Sequence, residues 1–88
     1  MEFRWISWNI EKCHLHGVDP ADVEYAVNHP KRPFPRNIDH DKDLVWGQSQ
    51  DGRYLQVIYV IDPDGTGFVI HARPLDDSEK RQLRRRRR

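Results

Sequence analysis

The stretch FVIHARPL, residues 68–75, carries an apolar run into a histidine, an arginine and a proline. Two-residue periodicity on a strand sets Phe68, Ile70 and Ala72 on one face, expected to meet the helices. Val69, His71 and Arg73 fall on the other. A hairpin through DPDGTG, residues 62–67, brings the start of the preceding strand, Arg53 and Tyr54, beside the end of this one. Arg53, Tyr54, His71 and Arg73 are therefore expected at one end of a sheet. Such a group has the parts for cutting RNA. A base takes the 2′-OH proton, cations hold the charge developing on the phosphorane oxygens, and an acid protonates the departing 5′ oxygen. Histidine titrates near neutrality and serves either proton role, while arginine stays charged and grips phosphate through two N–H groups. A histidine and an arginine at a strand's end also commonly do no more than meet solvent, and spacing alone leaves both readings open.

Other chemistry-bearing residues are weaker signals. His16 precedes Gly17 and reads first as a helix C-terminal cation favoured by the dipole. His14 points away from it on a 3.6-residue helix, so the two make a poor metal site. Five histidines and the single Cys13 show no ligand spacing, and no metal or other cofactor is expected. Asp39, Asp41 and Asp43 lack the glycine and closing glutamate of an EF-hand loop and read as a solvated turn. Cys13 reads as a buried small residue, and Trp5, Trp8 and Trp46 as core or rim aromatics before base-stacking groups.

The elements that position these residues follow from local signals. Residues 2–6, EFRWI, alternate as a short strand. Ser7 is placed to cap a helix over 8–16, with Gly17 as its left-handed stop. Asp19 and Pro20 open a second helix, with Val18 stapled to Val23, an apolar face at Val23, Ala26 and Val27, and an end before Pro30. A proline-punctuated loop follows, with an edge-strand fragment near PFPR, then strands at 44–48, 53–61 and 67–73 joined by tight turns. Asp76 and Glu79, spaced as a capping box, start a last helix. The order predicts an α+β domain, a small antiparallel sheet with two N-terminal helices and one C-terminal helix, all packed on one face. It forms a single domain over 1–83 with a flexible arginine tail over 84–88.

The net charge of +1 hides an asymmetry. Without Arg84, Arg85, Arg86, Arg87 and Arg88 the chain has ten basic against fourteen acidic side chains, about −4. An acidic body with a cationic end is not a uniformly basic nucleic-acid binder, so any RNA contact rests on a local patch plus the arginine run and is salt-sensitive. One cysteine fits a reducing compartment, and no signal peptide or membrane-length apolar run is present in the sequence. A cytoplasmic location is expected.

Taken together, F-x-W at Phe3 and Trp5, HGV at 16–18, DGRYLQVIYV at 51–60 and HARPL…EK at 71–80 resemble the BrnT-type toxins and their relatives. The resemblance spans nearly the whole chain. It implies a RelE-like ribonuclease fold, a type II toxin–antitoxin role, metal-independent endoribonuclease activity and two partners, RNA (on or off the ribosome) and a cognate antitoxin. Carried over by position, it marks His16, Arg53, Arg73 and Glu79 as candidate catalytic residues, beside His71 from the strand phase. Arg53, Tyr54, Arg73 and the five terminal arginines are the candidate RNA-binding set. Two positions depart from the family pattern: His71 stands where a serine is expected, and Leu83 where a tyrosine is expected. Two rival readings accompany this one. The first is a non-catalytic nucleic-acid or ribosome-binding module of the same fold, and the second a protein-interaction domain with no RNA role.

Overall fold

The computed structural model describes residues 1–86, the last of them by its backbone alone. The order is β1 (Phe3–Arg4), α1 (Ser7–Leu15), α2 (Pro20–Asn28), β2 (Arg36–Asp39), β3 (Lys42–Gln48), β4 (Tyr54–Ile61), β5 (Gly67–Pro74) and α3 (Asp77–Arg86). Five strands form one sheet in the order β1-β5-β4-β3-β2. The fold is α+β, as the element order predicts. Its sheet is mixed, because β1 pairs parallel with β5 through Phe3–Gly67 and Arg4–Phe68, whereas every other pairing is antiparallel. Among the described residues no helix is long and apolar enough to cross a membrane.

Local signals account for the helices. The Ile6 N–H that opens α1 is taken by the Asn9 side chain at 2.7 Å, which moves the start one residue ahead of the expected Ser7 cap. Gly17, at φ +70°, ends α1, with the Gly17 and Val18 N–H groups returned to the His14 and Cys13 carbonyls. Asp19 and Pro20 open α2, and the stapling valines Val18 and Val23 are both buried. In α3 the capping box is complete. The Asp76 carboxylate accepts the Glu79 N–H at 2.8 Å, and the Glu79 carboxylate accepts the Asp76 N–H at 2.9 Å.

Packing departs from the one-faced arrangement. Val45, Leu55, Val57, Tyr59, Val69 and Ala72 meet Val23, Ala26 and Val27 of α2, with Cys13 and Val18 beside them. Strand alternation sends Trp46 and Tyr54 to the other face, where they pack with Phe34, Leu75 and Leu83. So α3 covers one end of the face opposite α2. The reason is visible along β3 and β4, which are apolar in both phases, so that neither face is content with water. Leu83, fully buried, is the residue that α3 inserts.

A bulge resets the phase of β5. Tyr59 pairs with Val69 but Ile58 pairs with His71, so one extra residue on β5 is accommodated at Ile70. Val69 and Ala72, three apart, are therefore both in the core. The expectation that Phe68, Ile70 and Ala72 share the inward face, with Val69 opposite, is corrected to that extent, since strict alternation cannot anticipate a bulge. His71 and Arg73, flanking Ala72, still lie on the face away from α2.

Beyond Phe68, the outer side of β5 has no strand neighbour among the described residues. There α1 runs along the edge and the Asn9 amide donates to the Val69 carbonyl at 3.2 Å, satisfying an edge acceptor that a longer β1 would have taken. This placement of α1 beside β5 builds the candidate site.

Candidate active site

His16, at the end of α1, and His71, on β5, come together with ring centroids 6.0 Å apart and planes tilted by 59°. They line a small cavity of about 60 Å³ with Lys12, Leu15 and Ala72. Lys12 and His16 are one helical turn apart and so share a ridge of α1. At this separation both rings reach oxygens of a single phosphodiester, given hydrogen-bond reach of about 3 Å from each.

His71 is held neutral by its surroundings. Partial burial lowers its pKa from the ordinary 6.5, and the Arg73, His16 and Lys12 charges act in the same direction. Its hydrogen bonding agrees. The Trp46 indole N–H donates to Gln56 Oε1 at 3.1 Å, which turns the Gln56 amide nitrogen toward His71 Nε2, 3.4 Å away. An amide N–H can only donate, so Nε2 carries the lone pair and Nδ1 the proton. A neutral imidazole beside cations is the form of a general base. Its Nε2 lone pair, held at rest by the Gln56 N–H, becomes available when a substrate hydroxyl takes the place of that donor.

The arginines named from sequence are placed differently. Arg73 makes a two-bond ion pair with Glu79, at 2.8 and 2.7 Å, which joins the end of β5 to the first turn of α3. The Arg73 guanidinium, with the Asp76 N–H, holds the Glu79 carboxyl down at about 2. Glu79 is thus ionised at neutral pH and too weak a base to take a hydroxyl proton. Its contacts make it a positioning group for Arg73 and α3. Arg53 reaches to the α2 side, where it donates to Asp22 at 2.8 Å, to the Gly17 carbonyl at 2.9 Å and to Asp51 at 3.2 Å. Within the expected cluster His71 pairs with His16, Arg73 is tied to Glu79 while its charge still reaches His71, and Arg53 turns to carboxylates on the α2 side.

Tyr54 and Arg53 do share a second, larger cavity of about 470 Å³ at the sheet's end, with Pro74, Lys80, Leu83 and Arg84. Its described lining holds no histidine or carboxylate, and it is a recess with an apolar floor and a basic rim. Arg84 and Arg85 are helical and exposed on α3, and Arg86 is helical. Arg87 and Arg88 lie outside the described residues. Cys13 is buried with its thiol pushed up to about 11, chiefly by desolvation, which leaves it unreactive at neutral pH.

Lys12 is the functional candidate that sequence reading missed. Its only sequence signal is the four-residue step to His16, which acquires meaning once α1 is docked on β5. No family model matches the chain, and no solved structure matches it.

Proposed function

We propose that this chain is an RNA-cleaving toxin of the BrnT type, RelE-like in fold, that works by acid–base transfer without a metal and is neutralised by a cognate antitoxin. The observation that carries the reading is the pairing of His16 with His71 beside Lys12. In the proposed reaction the 2′-OH displaces the Gln56 N–H from His71 Nε2, which takes its proton, and the 2′ oxygen attacks phosphorus. Lys12, one helical turn from His16, adds a positive field that favours the charge developing on the non-bridging oxygens without contacting them. The bond to the 5′ oxygen breaks as His16 delivers a proton to it, leaving a 2′,3′-cyclic phosphate and a free 5′-OH.

A second reading, a non-catalytic RNA- or ribosome-binding module, draws support from the arginines. Arg53 and Arg73 are both engaged by carboxylates, whereas Arg81, Arg84 and Arg85 are exposed on α3 and offer cationic contacts to phosphate. One experiment separates the two. Purified protein is incubated with end-labelled RNA in excess EDTA, beside His71→Ala and His16→Ala. The toxin reading expects cyclic-phosphate products and a loss of about 10²-fold or more in each variant. Binding without cleavage by the wild-type protein selects the module instead.

A further inference from the structure

The outward ridge of α1 continues past the histidines. Its inward side is spent on Asn9 and Cys13, both buried. The adjacent ridge presents Trp8, Lys12 and His16 at four-residue steps. Trp8 is 46% exposed, a large aromatic that the core does not use. Its indole stacks on Phe68 of β5 with centroids 6.1 Å apart and planes within 10°, and the Lys12 ammonium sits 4.9 Å from the indole centre. Arg4 covers the Phe68 ring at 4.1 Å and is itself anchored by Asp62. The seam between α1 and β5 thus carries, in order, Arg4, Phe68, Trp8, Lys12, and the histidine pair.

Resting on the ribonuclease reading, we infer that this seam is the track for single-stranded RNA, with Trp8 stacking a base and Lys12 holding the adjoining phosphate. The ridge advances about 6 Å per step, of the order of one extended nucleotide, so Trp8 lies about two nucleotides from the phosphate between His16 and His71. An exposed aromatic next to a cation is the arrangement that binds single strands without regard to sequence, because every base has a π face and every linkage a phosphate. In the free protein Lys12 occupies the indole. An arriving base displaces it toward the neighbouring phosphate, where a charge-assisted contact replaces the cation–π one. A duplex does not suit the track, since its bases are stacked on each other and not offered to Trp8.

The test uses a short single-stranded RNA with every 2′-OH methylated, which binds but cannot be cut. Its affinity is measured over a range of salt for the wild-type protein, Trp8→Ala, Trp8→Phe and Lys12→Gln, each checked for unchanged thermal unfolding. Loss of roughly ten-fold in affinity for Trp8→Ala, largely restored in Trp8→Phe, is expected. Lys12→Gln should lower the slope of log K against log salt by about 0.7. Equal affinity for wild-type and Trp8→Ala, equal weakness of Trp8→Ala and Trp8→Phe, or no binding by the wild-type protein each overturns the track. Cleavage of unmodified RNA is scored separately. Cleavage lost in His71→Ala alongside Trp8-independent binding sinks the track and leaves the nuclease. Trp8-dependent binding with no cleavage by the wild-type protein does the reverse.

Discussion

Arg73 and Glu79 close a two-bond ion pair across the corner between β5 and α3, and the same Glu79 carboxylate caps α3 by accepting the Asp76 N–H. One side chain thereby fixes both a strand-end cation and the helix that covers the second sheet face.

Replacing Glu79 with glutamine should therefore cost stability, about 1–2 kcal/mol from the weakened cap and the unpaired guanidinium. The wild-type contribution has a defined acid limit. The folded-state pKa is about 2 against an ordinary 4.5, so the unfolded chain takes up the proton first. The stabilisation is complete above about pH 4.5 and is lost as pH falls toward 2. Urea denaturation of wild-type protein and Glu79→Gln should show a gap that narrows over that window. A gap that stays constant from pH 7 into acid would remove the ion pair from the account.

His71 gives a different pH signature. Its pKa is depressed, so protonation disfavours the folded chain, and stability should decline as pH falls below about 6.5. As the proposed base, it also sets the acid limb of the cleavage rate, which should be displaced downward from the ordinary histidine value. Lys12→Gln and Arg73→Gln each remove a charge that disfavours the imidazolium, and each should move the His71 titration upward. NMR titration of the His71 ring reads this directly, and an unmoved midpoint in both variants would contradict the electrostatic cause.

Gly47 of β3 lies against α2. A Cβ built there would overlap the Ala26 carbonyl, which is backbone and cannot swing aside. Gly47→Ala should force α2 away from the sheet and destabilise the domain by about 1–3 kcal/mol. A denaturation midpoint equal to that of the wild-type protein would show that α2 does not approach so closely.

What the sequence determined by itself is local. The Val18–Val23 staple, the Asp19–Pro20 start, the left-handed stop at Gly17 and the Asp76/Glu79 box each depend on residues within one turn of one another, so their signals survive without a fold. The order of elements and the α+β class follow from them. What the tertiary structure decided is every relation between distant segments. The bulge at Ile70 is dictated by ladder pairing with β4, which strict alternation along one strand cannot register. The parallel β1 ends after Phe68, and α1 takes over the edge because Asn9 satisfies the Val69 carbonyl; only that docking joins His16 and Lys12 to His71. Arg53 and Arg73, alike as strand-end cations in sequence, diverge because Asp22 faces one and Glu79 the other. Side-chain type says what a residue can do, and the carboxylate or imidazole that long-range packing sets beside it decides what it is free to do.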